Sequence, residues 1–501
     1  MSLNYLVVHN NATVPLASIP ELEYTAFYEQ IVNRFMCSEG HHCLNYYAIE
    51  QGRGYRLICC IANDFNHEIY LLSSVVELAG VYASFSAVHP AFEKFEREIH
   101  ENIGLNYSGH PWLKPVRYAF NRKDVSKEIA NYPFYSIASE ELHEVGVGPI
   151  HAGIIEPGHF RFICNGEQIL HLEIQLGYQH RGIESLFLEK ESLLQRVMLA
   201  ESIAGDSAVA HTTAFVNVWE SLCGFEPDEA LCFERCMALE LERIAIHTGD
   251  MSAMCGDIAY QLGNAVFGRL RTPILNFFQE WCGNRLAKGL IRPGKSNFPF
   301  TPSHAKRLME VFDLYEPHLH EMSNKLFKLP SALSRFEKTG VVRTEEALQT
   351  GSVGVAARMS GVTRDIRASH PFGLYTALQH EPIVKRHGDV YSRTKIRWQE
   401  IEQSAGYLRQ WVKQVPVAPS ERVALGAAAP SSFTISLVEG WRGEICHCAI
   451  TNEEGQLVHY KIKDPSFHNW LALALAVRNN EISDFPVCNK SFNLSYAGHD
   501  L

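Results

Sequence analysis

Three changes in apolar spacing predict an α+β N-terminal domain followed by a mainly α core with a small antiparallel β-sheet. Over the first 135 or so residues, short apolar runs alternate with polar breaks, the length and spacing of strands. From about residue 183 the apolar positions recur at steps of three and four, the period of a helix with one buried face. Near the end, strand-like runs return. A chain of 501 residues with 46% hydrophobic content can fill more than one core, which excludes the disordered and fibrous classes.

Taken in order, Tyr55–Ile61, Glu68–Leu72 and Val81–Phe85 read as strands, and Glu93–Glu101 as the helix that follows them. The polar, charge-dense run Arg122–Glu128 suits a linker, so a boundary falls near 123–146, separating residues 1–135 from 146–501. Leu186, Leu193, Leu194, Val197 and Met198 read as one helical stripe. Phe233, Met237, Leu241 and Ile244 do the same on a long helix over about Asp228–Asp250. Pro and Gly mark loops at 293–303 and 414–430, after which Phe433–Leu437 and Val458–Ile462 read as strands.

The charge balance narrows the partners. Forty-five Lys and Arg against 56 Asp and Glu leave −11, with no basic block, so nucleic acid is not expected, because phosphate binding needs clustered cations. The apolar run Trp470–Val477 is far too short to span a bilayer. The opening MSLNYLVVHNNATV lacks a basic segment followed by an apolar core, so a cytoplasmic address is expected. Thirteen cysteines are too sparse for a disulfide scaffold and are expected as thiols.

Several motifs carry more than spacing. Phe95-Glu-Arg-Glu-Ile-His-Glu-Asn-Ile-Gly-Leu-Asn-Tyr-Ser-Gly-His-Pro111 is, on its own, a salt-bridged helix and a tight loop. It resembles the signature of the C-type peripheral subunit of respiratory complex I. Gly148-Pro-Ile-His-Ala-Gly-Ile-Ile-Glu-Pro-Gly-His-Phe-Arg161 and Gly177-Tyr-Gln-His-Arg-Gly-Ile-Glu184 resemble the opening of the nickel–iron hydrogenase large subunit and of its complex I relative, the D-type subunit. Glu242–His247, Ser360–Arg367, Gly388–Arg393, Arg442–Glu444 and Pro465–Trp470 continue the resemblance in order. The C-then-D order in one chain is most similar to the membrane-bound, formate hydrogenlyase-like group.

In that family two Cys-x-x-Cys pairs hold nickel and iron, since soft thiolates bind and bridge these metals. The resemblance places Ala204 and Ser207 at the first pair and Asn493 and Tyr496 at the second. None is a thiolate. Cys446-His-Cys448 could put two sulfurs on one face of a strand, Cys59 and Cys60 point to opposite faces, and Cys488 stands alone, so no metal is expected.

The resemblance implies that such an emptied pocket takes a quinone headgroup, held in relatives by a Tyr of the first loop and a His of the Gly-Pro segment. Here no Tyr lies between 179 and 219, leaving His151, His159 or Tyr496 as candidate donors. Arg442 matches the arginine over the metal centre, and Glu156 lies beside the position of a proton-relaying glutamate. Arg161, Arg364, Asp365 and Arg367 match charged residues of the family core, the last three being expected to form an internal ion-pair network because unpaired buried charge is costly.

The implied function is that of a subunit in a complex I-like or hydrogenase-related oxidoreductase peripheral to the inner membrane. Its implied partners are an iron–sulfur small subunit and antiporter-like membrane-arm subunits, with quinone binding and NAD binding at the level of the family and no cofactor held by this chain. Two other readings stay open: a scaffold and conformational relay without chemistry of its own, and, least favoured, a true hydrogenase.

Overall fold

The computed structural model describes residues 4–153, 155–416 and 423–501. Part of the loop expected over 414–430 lies outside them. Helices and several small, mainly antiparallel sheets make up the chain.

The first sheet is built from His41–Gln51, Gly54–Asn63 and Glu68–Val76, joined by tight turns, with Leu6–Val8 on the outer edge. The expected strand over 81–85 stops at Ala83, because Phe85–Ala87 turns into a short 3₁₀ segment whose backbone N–H groups are taken by Glu96. The helix Glu93–Ile103 ends at Gly104, whose φ of +83° closes the last turn.

A three-stranded sheet, His143–Val147, His159–Asn165 and Gln168–Gln175, follows the linker. Periodicity does not reveal it, since its strands have no clean alternation: Phe162, Ile163 and Cys164 are all buried. The stripe at 186–198 also resolves differently. Helices Ile183–Glu189 and Leu193–Ala200 break at Lys190–Ser192, and Leu194 and Met198 are more than half exposed.

The long helix runs Glu229–Asp257, capped by Asp228, which accepts from the Leu231 N–H. Phe233, Met237, Leu241 and Ile244 enter the largest apolar core as expected. The opposite side is buried too, carrying Glu240, Arg243 and His247 against helix Val390–Trp411.

The C-terminal sheet contains Ser432–Gly440, Gly443–Thr451 and Leu457–Lys463, with Thr13–Pro15 from the other end of the chain as its fourth strand. Its outer face packs on the N-terminal sheet: Leu44, Ile58 and Leu71 share a core with Ile435, Leu437 and Ile450. Cys446 and Cys448 lie in this seam, their sulfurs 3.8 Å apart and each 3.9 Å from the Asn45 amide nitrogen. The two thiols do share a face; burial pushes both well above the ordinary thiol range. No described helix is long and apolar enough to cross a membrane.

Candidate functional site: a polar cluster around Arg442

The strands Ser432–Gly440 and Gly443–Thr451 are joined by only Trp441 and Arg442, so the arginine stands at the tip of a two-residue hairpin. Its reach into the core depends on Gly354: φ there is +63°, and a Cβ would lie 2.0 Å from the Arg442 carbonyl oxygen. Trp441 is buried and donates its indole N–H to the Asp206 carbonyl at 2.8 Å. The Arg442 guanidinium lies 4.0 Å from the Trp441 ring centre and grips Asp206 with two bonds of 2.6 Å. It also donates to the Asn493 carbonyl at 2.6 Å and to Ser207 Oγ at 3.2 Å.

Two of the four positions expected to have lost thiolates, Ser207 and Asn493, therefore meet at Arg442, with Ala204 bonded to Ser207 in the same loop. Ala204 and Ser207 sit in the loop before helix Ala208–Leu222, buried to within 2%. Asn493 ends helix Phe485–Phe492 in the left-handed conformation that Asn tolerates, φ +47°. Its amide donates to Asp250 at 2.7 Å, and Asp250 in turn pairs with Arg397 at 2.9 Å. A methyl, a hydroxyl and an amide occupy the cradle, and none is a soft anionic ligand, so the residues present do not fit a nickel–iron centre.

Tyr496 reaches the same region from the last helix, Tyr496–Asp500. Its ring lies against Gly158 of the opening Gly-Pro segment and 4.8 Å from Trp470. The phenol oxygen is buried beside the Asn489 side chain, and burial pushes it up to about 12. His151 is tied to its own segment, with Nε2 2.7 Å from the Gly158 carbonyl. His159 does not join this site: its Nδ1 meets the Gly148 carbonyl at 3.0 Å and its ring packs on Phe134, because it alternates with the inward Phe160. Glu156 lies at the exposed mouth, its carboxyl raised by partial desolvation and by Asp206.

The expected charged triplet separates. Asp365 and Arg367 pair at 2.8 Å inside a buried network with Glu240, Arg358 and Glu400. Arg364 faces the other way, donating to the Ser352 and His41 carbonyls at 3.3 Å and lying 4.0 Å from Asp64 of the N-terminal sheet, since neighbouring residues in extended backbone point to opposite sides. Arg161 is a partly exposed strand residue paired with Glu144 at 2.8 Å, outside the core.

A buried relay lies beyond what the motifs indicate. Asp464 lies 3.0 Å from His211 Nε2, His211 Nδ1 lies 3.1 Å from His447 Nε2, and His447 Nδ1 lies 2.9 Å from the Tyr460 hydroxyl. Burial and His211 hold His447 well below its ordinary range. A signal for it exists in Cys446-His447-Cys448: if the sulfurs face one sheet, the histidine between them faces the other side.

Glu242 accepts from the Val209 and Ala210 N–H groups, closing the N-terminus of helix Ala208–Leu222. Burial raises it to about 8. An acid raised above its ordinary 4.5 binds more protons folded than unfolded, so its contribution to stability falls as pH rises from about 4.5 toward 8. Glu242→Gln is therefore expected to flatten the decline of the unfolding midpoint between about pH 6 and 8.5 by about one proton's worth. Denaturant titrations across that range measure it, and an unchanged slope would contradict the assignment.

Residues 259–425 match the family described as respiratory-chain NADH dehydrogenase, 49 Kd subunit. The chain is 26% identical over 352 residues to the carbon monoxide-induced hydrogenase of Rhodospirillum rubrum, covering 70% of this chain and 97% of that one. It is 26% identical over 437 residues to formate hydrogenlyase subunit 5 of Escherichia coli, covering 84% and 77%. It is 27% identical over 395 residues to the C/D-type NADH-quinone oxidoreductase protein of Bacteroides thetaiotaomicron, covering 72% and 74%.

Proposed function

We propose that this chain, a homologue of hydrogenase large subunits and of complex I C/D-type proteins, is the large subunit of a membrane-associated redox assembly whose nickel–iron site has become a polar pocket coupled to buried charge. The observation that carries the reading is the contact of the rebuilt cradle with ionisable groups: Arg442 and Asn493 meet at one end, and Asn493, Asp250 and Arg397 continue inward. A change of charge in a low-dielectric pocket shifts the proton affinity of such neighbours.

In this reading the electron donor is an iron–sulfur partner subunit, the acceptor is a quinone, and membrane-arm subunits move the ions. The chain holds no metal or prosthetic group of its own, and it sits at the cytoplasmic face of the inner membrane through those partners. The buried phenol of Tyr496, which lies against Gly158 of the segment that also carries His151, suits a quinone oxygen. A bound quinone would supply two-electron, two-proton acceptance. Tyr496 would orient its headgroup by donating a hydrogen bond, while Arg442 and Asp206 keep the surrounding charge balanced.

The test is the purified complex, reduced and free of oxygen, with its iron–sulfur absorbance followed on quinone addition. Reoxidation is expected, slowed about tenfold or more in Tyr496→Phe, the loss of one oriented hydrogen bond. An unresponsive spectrum would sink the redox reading, and stoichiometric nickel would restore the hydrogenase one.

The bidentate Arg442–Asp206 pair favours a second reading, a scaffold and conformational relay, because a guanidinium already neutralised needs no substrate. Variants Arg442→Ala and His151→Ala separate the two. Loss of ion transport in an intact complex supports pocket chemistry, and indifference supports the scaffold.

A further inference from the structure

We propose that the cavity between helix Glu93–Ile103 and the C-terminal helix Pro465–Ala476 is a binding site for a small aromatic anion, separate from the rebuilt metal cradle. The cavity measures about 540 Å³, within the range of small-molecule sites, and lies where the N-terminal part of the chain meets the core, a common place for such sites. One wall is the turn carrying Trp112 and Lys114; the other is strand Gln168–Gln175 and the helix face of Trp470 and Ala474.

Aromatic rings supply flat apolar surface on several sides: Trp112, Tyr132, Tyr135 and Trp470. Such walls favour a planar ring system. The polar groups then select charge. Arg97 is committed to Glu93 at 3.0 Å, and Lys114 to Glu173 at 2.6 Å, so these pairs cancel. Arg478 forms no ion pair among the described residues, and the His171 side chain beside it makes no hydrogen bond among them.

Lys94 adds a further donor: its half-buried ammonium bonds the Phe467 carbonyl at 2.7 Å and pairs with Glu93 at 3.8 Å, an acid it shares with Arg97. The cavity thus offers the cation of Arg478 at its edge and rings within, which suits a carboxylate or sulfonate on a one- or two-ring body. Trp470 forms part of its wall and contacts Tyr496 across 4.8 Å, so the occupant would lie one side chain away from the rebuilt cradle.

The probe is 8-anilinonaphthalene-1-sulfonate, titrated into the full chain and followed by its fluorescence. One saturable site per chain is expected. Arg478→Glu, at an exposed position, should weaken binding about tenfold or more, the loss of one charge-assisted contact. Ala474→Trp should abolish it by filling the cavity, and neutral N-phenyl-1-naphthylamine should bind about tenfold more weakly. Undiminished affinity in Arg478→Glu, or equal affinity for the neutral probe, would overturn the proposal. Because the exposed variant keeps the core intact, that outcome does not depend on whether Ala474→Trp folds.

Discussion

Arg358→Ala is expected to cost about 3–5 kcal/mol of folding stability, the usual result of orphaning buried charge. Arg358 is fully buried and holds three carboxylates: Glu400 at 2.6 Å, Glu439 at 2.9 Å and Asp365 at 3.4 Å. It also donates to the Arg364 carbonyl at 2.8 Å. Removing the guanidinium leaves those acids with Arg243, Arg367, His247 and His380, which are already engaged.

Burial opposes ionisation of Glu400 and Glu240, yet Arg358 holds Glu400 well below its ordinary range, and Arg367 with Arg243 brings Glu240 down to about 2. Acids lowered in this way contribute stability above about pH 4.5 and lose it as pH falls below. The variant should therefore unfold at lower denaturant at neutral pH and show a shallower acid dependence. Arg358→Met, which keeps most of the volume, should behave alike; a wild-type midpoint in Arg358→Met would mean that packing, not charge, holds this region.

Glu444→Gln is expected to loosen the N-terminal part of the chain from the core, with a loss again of about 3–5 kcal/mol. Glu444 lies beside Lys463 on the neighbouring strand and 2.7 Å from His42 of the N-terminal sheet. Lys463 is buried, so a neutral partner leaves it uncompensated. Burial alone would lower His42, but Glu444 and Asp64 raise it; burial alone would raise Glu444, but Lys463 and His42 hold it far below the ordinary range.

The signs give a window. The Glu444 contribution is complete above about pH 4.5 and lost on acidification, whereas the His42 contribution is complete below about pH 6.5 and lost as pH rises through its elevated value. The contact is strongest between those limits. Limited proteolysis in the linker before His143 should accelerate in Glu444→Gln most at about pH 6 and less at about pH 9, where the His42 part of the contact is gone and the Lys463 part remains. Equal cleavage at both pH values would contradict a His42–Glu444 clamp.

How far the sequence reaches varies by residue. The long helix and the helix at Glu93 are legible because one period runs through each. The sheet at 143–175 is not, since its first strand is mostly exposed and its second buries Phe162, Ile163 and Cys164 in succession, so neither shows the alternation that marks a strand. Arg364 and Asp365 are adjacent in sequence and part company in space. His159 and His151 are equal candidates by residue type, although strand alternation with Phe160 turns His159 away from Tyr496.

By itself the sequence determined that none of Ala204, Ser207, Asn493 and Tyr496, the positions that the resemblance aligns with metal-binding thiolates, carries a thiol, because ligand chemistry is a property of residue type and order. Only the tertiary structure decided the partners around them: Asp206 on Arg442, Asp250 on Asn493, and the separate Asp464–His211–His447–Tyr460 chain. These partners lie far apart along the chain, and pairing of buried charge depends on distances of a few ångströms that no local pattern encodes.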